Sequence, residues 1–302
     1  MAEAEIYDVA LEAAEHPFRV RVYPAASPTG AAVVWMHGGA FMMGSIEMPE
    51  SDAVARMLAS QGVSVVAVDY TLAPLDAMPD FAADFGADGV PEGMPSPEQI
   101  RAEMEAAGPR ARFPVASLQV VAAFDWAVEN AAALGADPER IAIGGASAGG
   151  NLAGGAAVRL RDRAAHQPVA VLMAYPVLHK VLPDASPELI ALLEGLPAMM
   201  TFPPEDVRSF NLNYVGDEAV LDDPAAFPAG HDQRGLAPMT IVTAERDRLR
   251  ASAEAFAAEL ALAGVDVSIS AERGALHGYL NEIGDAAATD TIRRFIAALS
   301  VA

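Results

Sequence analysis

The mid-chain segment Gly144-Gly145-Ala146-Ser147-Ala148-Gly149-Gly150 directly follows the apolar run Arg140-Ile141-Ala142-Ile143. Ser147 has a glycine two positions away on either side. This pattern places a serine on a sharp reversal between a strand and a helix, with its hydroxyl projecting from the apex. A Cβ at either flanking glycine would collide with the neighbouring strand or helix, because the turn is strained and tightly packed. Glycine and serine also share ordinary turns, so the segment acquires chemical meaning only through partners elsewhere in the chain.

The rest of the pattern supplies the setting for such a turn. Strands are expected over residues 18–23, 31–36, 63–68, 140–143, 169–174, 239–243 and 265–270, most of them continuous apolar runs suited to burial. Helices are expected over 51–60, after Pro114, from Ala148, over 249–263 and at the C-terminal end, where Thr289, Ile292, Phe295, Ile296 and Leu299 recur at helical spacing. Strand and helix in alternation predict an α/β fold with a mainly parallel central sheet flanked by helices, as one domain over 1–302. Two stretches break the alternation. Residues 75–112 are acidic and rich in Pro, Gly and Met, with a short helix expected over 96–107; they read as a flap or a surface insertion. Residues 176–238 hold many prolines and no clear period, and read as an inserted cap or lid.

Composition removes several classes of function. With no cysteine there is no disulfide, no thiol nucleophile and no thiolate metal site. The formal charge of −22 opposes binding to nucleic acid or to anionic membrane surfaces, which need clustered basic residues. No apolar run is long enough to span a bilayer. The N-terminus, Met1-Ala2-Glu3-Ala4-Glu5, lacks the basic-then-apolar order of a secretory signal, so a cytoplasmic location is expected. No metal or organic cofactor is implied.

A serine hydroxyl needs a base to accept its proton and a carboxylate to orient that base. His277, in Gly274-Ala275-Leu276-His277-Gly278-Tyr279, follows the last expected strand and so reaches the sheet edge that presents Ser147. His16, His166 and His179 have no comparable placement, and His231 lies in the irregular 176–238 stretch. Asp247 follows the strand ending near Thr243, in Glu245-Arg246-Asp247-Arg248-Leu249-Arg250. It is the preferred acid, with Glu245 its rival and a plain helix-start residue the alternative. Trp35-Met36-His37-Gly38-Gly39-Ala40-Phe41 follows a buried strand, and its glycines let backbone N–H groups approach a developing oxyanion. Gly38 and Gly39 are the expected donors, with Ala148 as a third. Ala40, Phe41, Met42 and Tyr279 are candidate substrate-lining residues; core packing is the alternative for Phe41 and Met42.

Taken together, these blocks resemble the bacterial hormone-sensitive lipase family of α/β-hydrolases from about residue 18 onward. The resemblance extends to Asp69-Tyr70-Thr71-Leu72-Ala73-Pro74 and to His277-Gly278-Tyr279, in the family's order. It implies an α/β-hydrolase fold with Ser147, His277 and Asp247 as a triad. It also implies a serine carboxylesterase acting on small short- to medium-chain or aromatic esters through an acyl-enzyme, and homodimers formed through the last strand and helix. The same triad serves amide, lactone and carbonate hydrolysis, and related scaffolds without the histidine bind ligands without catalysis. Three departures stand out. Ala40 occupies the family's third glycine, Ala146 its aspartate before the serine, and little chain precedes the first strands to form the usual N-terminal cap. The 75–112 insertion is expected to stand in for that cap.

Overall fold

The computed structural model describes residues 5–77, 97–106, 108–163 and 165–301. Eight strands form one sheet in the order β1-β2-β4-β3-β5-β6-β7-β8. They are β1 (Tyr7–Ala13), β2 (His16–Tyr23), β3 (Gly30–Met36), β4 (Ser64–Asp69), β5 (Ala136–Ala146), β6 (Val171–Ala174), β7 (Met239–Arg246) and β8 (Val267–Leu276). β2 pairs antiparallel with β1 and β4, and every other pairing is parallel. The helices are α1 (Pro49–Ser60), α2 (Pro97–Ala106), α3 (Val115–Glu129), α4 (Ala148–Asp162), α5 (Pro187–Leu193), α6 (Ala198–Thr201), α7 (Pro204–Val215), α8 (Arg250–Leu262) and α9 (Ala286–Val301).

The two faces of the sheet carry separate cores. Val34, Met36, Ile141 and Ile143 pack with Phe124 of α3, Leu152 of α4 and Phe256 of α8. On the other face Val33, Trp35, Ala142 and Leu172 pack with Val54 and Leu58 of α1 and Phe295 of α9. Burial on both faces explains why the central strands are continuous apolar runs rather than alternating ones.

After β3 the chain steps outward to β4 and then returns to place β5 on the other side of β3. This is the reversal of strand order at which α/β sheets open a crevice beyond their carboxyl ends. The register carries that crevice across the sheet. Met36 pairs with Gly145, Ala146 with Ala174, and Arg246 with Leu276. The residues that follow, at 37–40, 147, 175, 247 and 277, therefore emerge along one edge.

The expected short helix in the acidic stretch is present as α2, while residues 78–96 of the 75–112 insertion lie outside the described residues. Strand β1, unanticipated from sequence, pairs with β2 along its whole length. The 176–238 stretch contains α5, α6 and α7 and a 3-10 turn at Glu218–Asp222. No described helix is long and apolar enough to cross a membrane.

Candidate active site

Ser147 stands between β5 and α4 with φ 53° and ψ −118°. A non-glycine residue rarely adopts such a conformation, which persists only where surrounding structure enforces it. The enforcement is steric and hydrogen-bonded. A Cβ on Gly149 would lie 2.2 Å from the Met36 carbonyl oxygen, and one on Gly145 2.4 Å from the Gly149 backbone. Ser147 N–H donates to the Ala174 carbonyl at 2.8 Å, tying the turn to the neighbouring strand.

Three side chains from three loops then form one hydrogen-bonded chain. Ser147 Oγ lies 2.9 Å from His277 Nε2, and His277 Nδ1 lies 2.7 Å from Asp247 Oδ2. Asp247 is fully buried, and its second oxygen accepts the Leu249 N–H at 2.9 Å, so both oxygens are occupied. With the carboxylate facing Nδ1, that nitrogen carries the proton and Nε2 is left to accept from the serine. Glu245, the rival acid, turns away and accepts the Gly274 N–H at 2.7 Å. Of the other histidines, His166 pairs with Glu139 at the surface, and His179 hydrogen-bonds Ser252 and Glu259. The His231 carbonyl accepts from Gln233.

The loop after β3 requires a correction. Gly38 was expected to offer its N–H to an oxyanion, but that N–H donates to Glu50 Oε1 at 2.7 Å. Gly39 and Ala40 are half-buried, and their N–H groups have no backbone acceptor among the described residues. Ala148 begins α4, where an N–H has no acceptor within the helix. Gly39, Ala40 and Ala148 thus each present an N–H without a backbone acceptor among the described residues. His37, just before the loop, is buried and stacked on Tyr70 with ring centroids 4.4 Å apart. Burial pushes its pKa down, and the neutral ring bonds the Gly38 carbonyl through Nδ1 at 2.7 Å.

Three of the expected substrate-lining residues are placed elsewhere. Phe41 is buried and stacks face to face on Tyr214 at 4.0 Å, pinned by the α7 segment. Met42 is fully buried in the core, and its carbonyl accepts from Arg110. Tyr279 is buried with its hydroxyl 2.6 Å from Thr291 Oγ1. All three serve packing; of the four, only Ala40 remains at the loop surface. Sequence reasoning passed over the aromatic groups that do surround the imidazole. Tyr175, just after β6, packs at an angle against the His277 ring with centroids 4.8 Å apart, and Phe202, just after α6, does so at 4.5 Å. Glu50 was missed as well, since an acidic residue in the first turn of a helix carries no distinguishing mark. A cleft of about 460 Å³ lined by Arg19, Asp69, Tyr70 and Arg110 includes neither Ser147 nor His277. The serine and histidine of the hydrogen-bonded chain lie outside that cleft.

The chain is similar to known proteins. A family profile for the alpha/beta hydrolase fold matches residues 33–87 and 106–281. Carboxylesterase NlhH of Mycobacterium tuberculosis is 32% identical over 269 residues, covering 87% of this chain and 71% of the relative. An arylesterase of Saccharolobus solfataricus is 29% identical, over 91% of this chain and 77% of its own. Among solved structures, the thermostable carboxylesterase EstE1, cloned from a metagenomic library, superposes with a TM-score of 0.77. The two are 28% identical, and the match covers 99% of this chain and 90% of that one.

Proposed function

The chain belongs to the α/β-hydrolase fold family, in its hormone-sensitive-lipase-like branch, and we propose that Ser147, His277 and Asp247 are its catalytic triad for carboxylic ester hydrolysis. The observation that carries this reading is the chain of 2.9 and 2.7 Å contacts from nucleophile to base to acid. The names of the relatives, carboxylesterase and arylesterase, favour esters over other acyl compounds.

Ser147 Oγ attacks the ester carbonyl carbon as its proton passes to His277 Nε2. Asp247 holds the imidazole in the required tautomer and stabilises the imidazolium. Charge collecting on the carbonyl oxygen is met by the N–H groups of Gly39, Ala40 and Ala148. The tetrahedral intermediate collapses, and the alcohol leaves with the proton from Nε2. Water then attacks the acyl-serine, giving up its proton to Nε2, and the carboxylic acid departs as Ser147 recovers its hydrogen. Phe202 forms an apolar wall beside the imidazole, which suits short- to medium-chain acyl or aromatic groups. Residues 176–238 serve as the cap over this site. Residues 112–113 dock against it, with Arg112 bonded to Asn213 and Phe113 N–H to the Tyr214 carbonyl at 2.9 Å.

Hydrolysis of p-nitrophenyl acetate, butyrate, octanoate and laurate tests the reading. The shorter esters should turn over, and Ser147→Ala should lower kcat by more than about a thousandfold. Equal rates in folded Ser147→Ala protein would refute the assignment.

A further inference from the structure

The buried acidic side chains among the described residues are Glu50, Asp247 and Glu272. Asp247 faces His277, and Glu272 pairs with Arg294 at 3.1 Å on the edge strand. Glu50 forms no ion pair among the described residues, and the mechanism above does not use it. Burying a carboxylate away from a cation is costly, and here burial pushes its pKa up. A residue kept under that penalty invites the question of what its oxygens hold.

They hold the loops that meet at Ser147. Glu50 Oε1 accepts the Gly38 N–H at 2.7 Å, and Oε2 accepts the Tyr175 hydroxyl at 3.0 Å. Its backbone N–H donates to Asn281 Oδ1 at 3.2 Å, and its carbonyl accepts the Trp35 indole N–H at 2.8 Å. One residue at the start of α1 thus touches the loop after β3, the loop after β6 and the turn that follows His277. The consequence for Gly39 follows from peptide geometry. His37 Nδ1 holds the Gly38 carbonyl oxygen, and in a planar trans peptide the Gly39 N–H points opposite to that oxygen. With Glu50 holding the Gly38 N–H, the peptide planes on both sides of Gly38 are fixed. Tyr175, anchored by the other oxygen, packs its ring against His277 with centroids 4.8 Å apart.

Resting on the ester-hydrolase reading above, we infer that Glu50 is a positioning residue whose two oxygens lock the oxyanion loop through Gly38 and the His277 ring through Tyr175. It touches no substrate. Its effect is on where the Gly39 and Ala40 donors and the imidazole stand when the tetrahedral species forms, and misplacement by about 1 Å can cost on the order of a hundredfold in rate.

The test compares Glu50→Ala, Glu50→Gln and Glu50→Asp. The main readout is the rate at which a p-nitrophenyl organophosphate modifies Ser147, followed by intact-mass spectrometry. The phosphoryl oxygen enters the same donor set as an ester oxyanion, so this rate reports loop geometry whether or not any ester is turned over. Steady-state kcat and KM on p-nitrophenyl butyrate accompany it. Glu50→Ala should slow phosphorylation and kcat by about a hundredfold with KM within about threefold. Glu50→Gln keeps an acceptor for the Gly38 N–H and should recover to within about fivefold of native. Glu50→Asp keeps the charge but draws the oxygens back by one methylene, and should lose about tenfold.

A role in stability alone would lower the melting temperature and leave these rates unmoved in folded protein. Native rates in folded Glu50→Asp or Glu50→Ala would overturn the inference. So would a Gln variant as impaired as the Ala variant, since that would assign the effect to charge rather than to the hydrogen bonds. Should Glu50→Ala fail to fold, Gln and Asp still decide. Native protein that is phosphorylated at Ser147 yet turns over no ester would count against the ester reading, while the variant series still judged Glu50.

Discussion

At the level of single residues, the two glycines after His37 look interchangeable in sequence and are not. The Gly38 N–H donates to Glu50, whereas Gly39 has φ +114° and its N–H has no backbone acceptor among the described residues. Which amide is occupied depends on a side chain twelve positions along the chain turning inward, a tertiary fact invisible to any local pattern. A Cβ at Gly39 would lie 2.1 Å from the Met43 carbonyl oxygen, so Gly39→Ala must rebuild the loop. We expect Gly39→Ala to lose at least about a hundredfold in kcat, in line with the loss of one oxyanion donor. Circular dichroism should still report a folded protein, and native kcat in that variant would show that Gly39 is not a donor. Ala40 tolerates φ +50° with its N–H intact, which explains how the family's third glycine can be replaced without removing a donor. Ala146 is likewise absorbed: its methyl group is buried in the core that also holds Trp35, Leu172 and Tyr175, where no polar partner is required. The serine, histidine and aspartate were legible because each sits in a short motif at a strand end. Glu50, Tyr175 and Phe202 belong to no motif.

At the level of elements, the strands were legible because burial on both faces writes itself as apolar runs. The cap helices were not, for a physical reason visible in α7. Its buried positions include Asn211 and Asn213 as well as Val207 and Tyr214. Asn211 donates to the His179 and Lys180 carbonyls, and Asn213 to the Pro74 carbonyl at 2.7 Å. A helix that satisfies loop carbonyls with its inward face shows no hydrophobic period. β1 was hidden differently: its Ala, Leu and Glu content suits a helix, and only pairing with β2 makes it a strand. The segment leaving β6 is fastened to α8 by a second polar cluster. His179 Nδ1 lies 2.8 Å from Ser252 Oγ and Nε2 3.3 Å from Glu259, whose other oxygen accepts the Gly230 N–H. Burial holds the His179 pKa below its ordinary value, against the pull of Glu259. A histidine depressed in the folded state binds fewer protons there than when unfolded. Its contribution to stability is therefore full above about pH 6.5 and is lost as pH falls through the folded value. Buried His37 carries the same sign. The melting temperature should fall between about pH 7 and pH 5, and His179→Gln should flatten part of that slope. An unchanged slope in the variant would remove His179 from the account.

Across the whole molecule, the excess of 41 acidic over 19 basic side chains opposes compaction by self-repulsion. Local pairing acts in the other direction. Arg19 and Arg21 gather Asp8, Glu47 and Asp69, joining the antiparallel edge of the sheet to the loop that leads into α1. Those groups are partly exposed, and such pairs contribute at most about 1 kcal/mol each, less as salt rises. Repulsion among many unpaired carboxylates is long-ranged and is screened over the same concentrations, since the Debye length falls from about 30 Å at 0.01 M to about 8 Å at physiological salt. The two effects have opposite signs, and the size of the net charge favours repulsion. Raising NaCl from about 0.01 M to 0.5 M should therefore raise the melting temperature. Sorbitol at matched osmolality separates charge screening from solvent exclusion, because it leaves the Debye length unchanged. The same field reaches the crevice at the sheet's carboxyl edge, so KM for an ester bearing a carboxylate should fall with salt while KM for its neutral analogue stays level. A melting temperature that drops with salt would mean that the arginine-centred pairs outweigh the repulsion. Parallel behaviour of the two esters would mean that the surface charge stops short of the site.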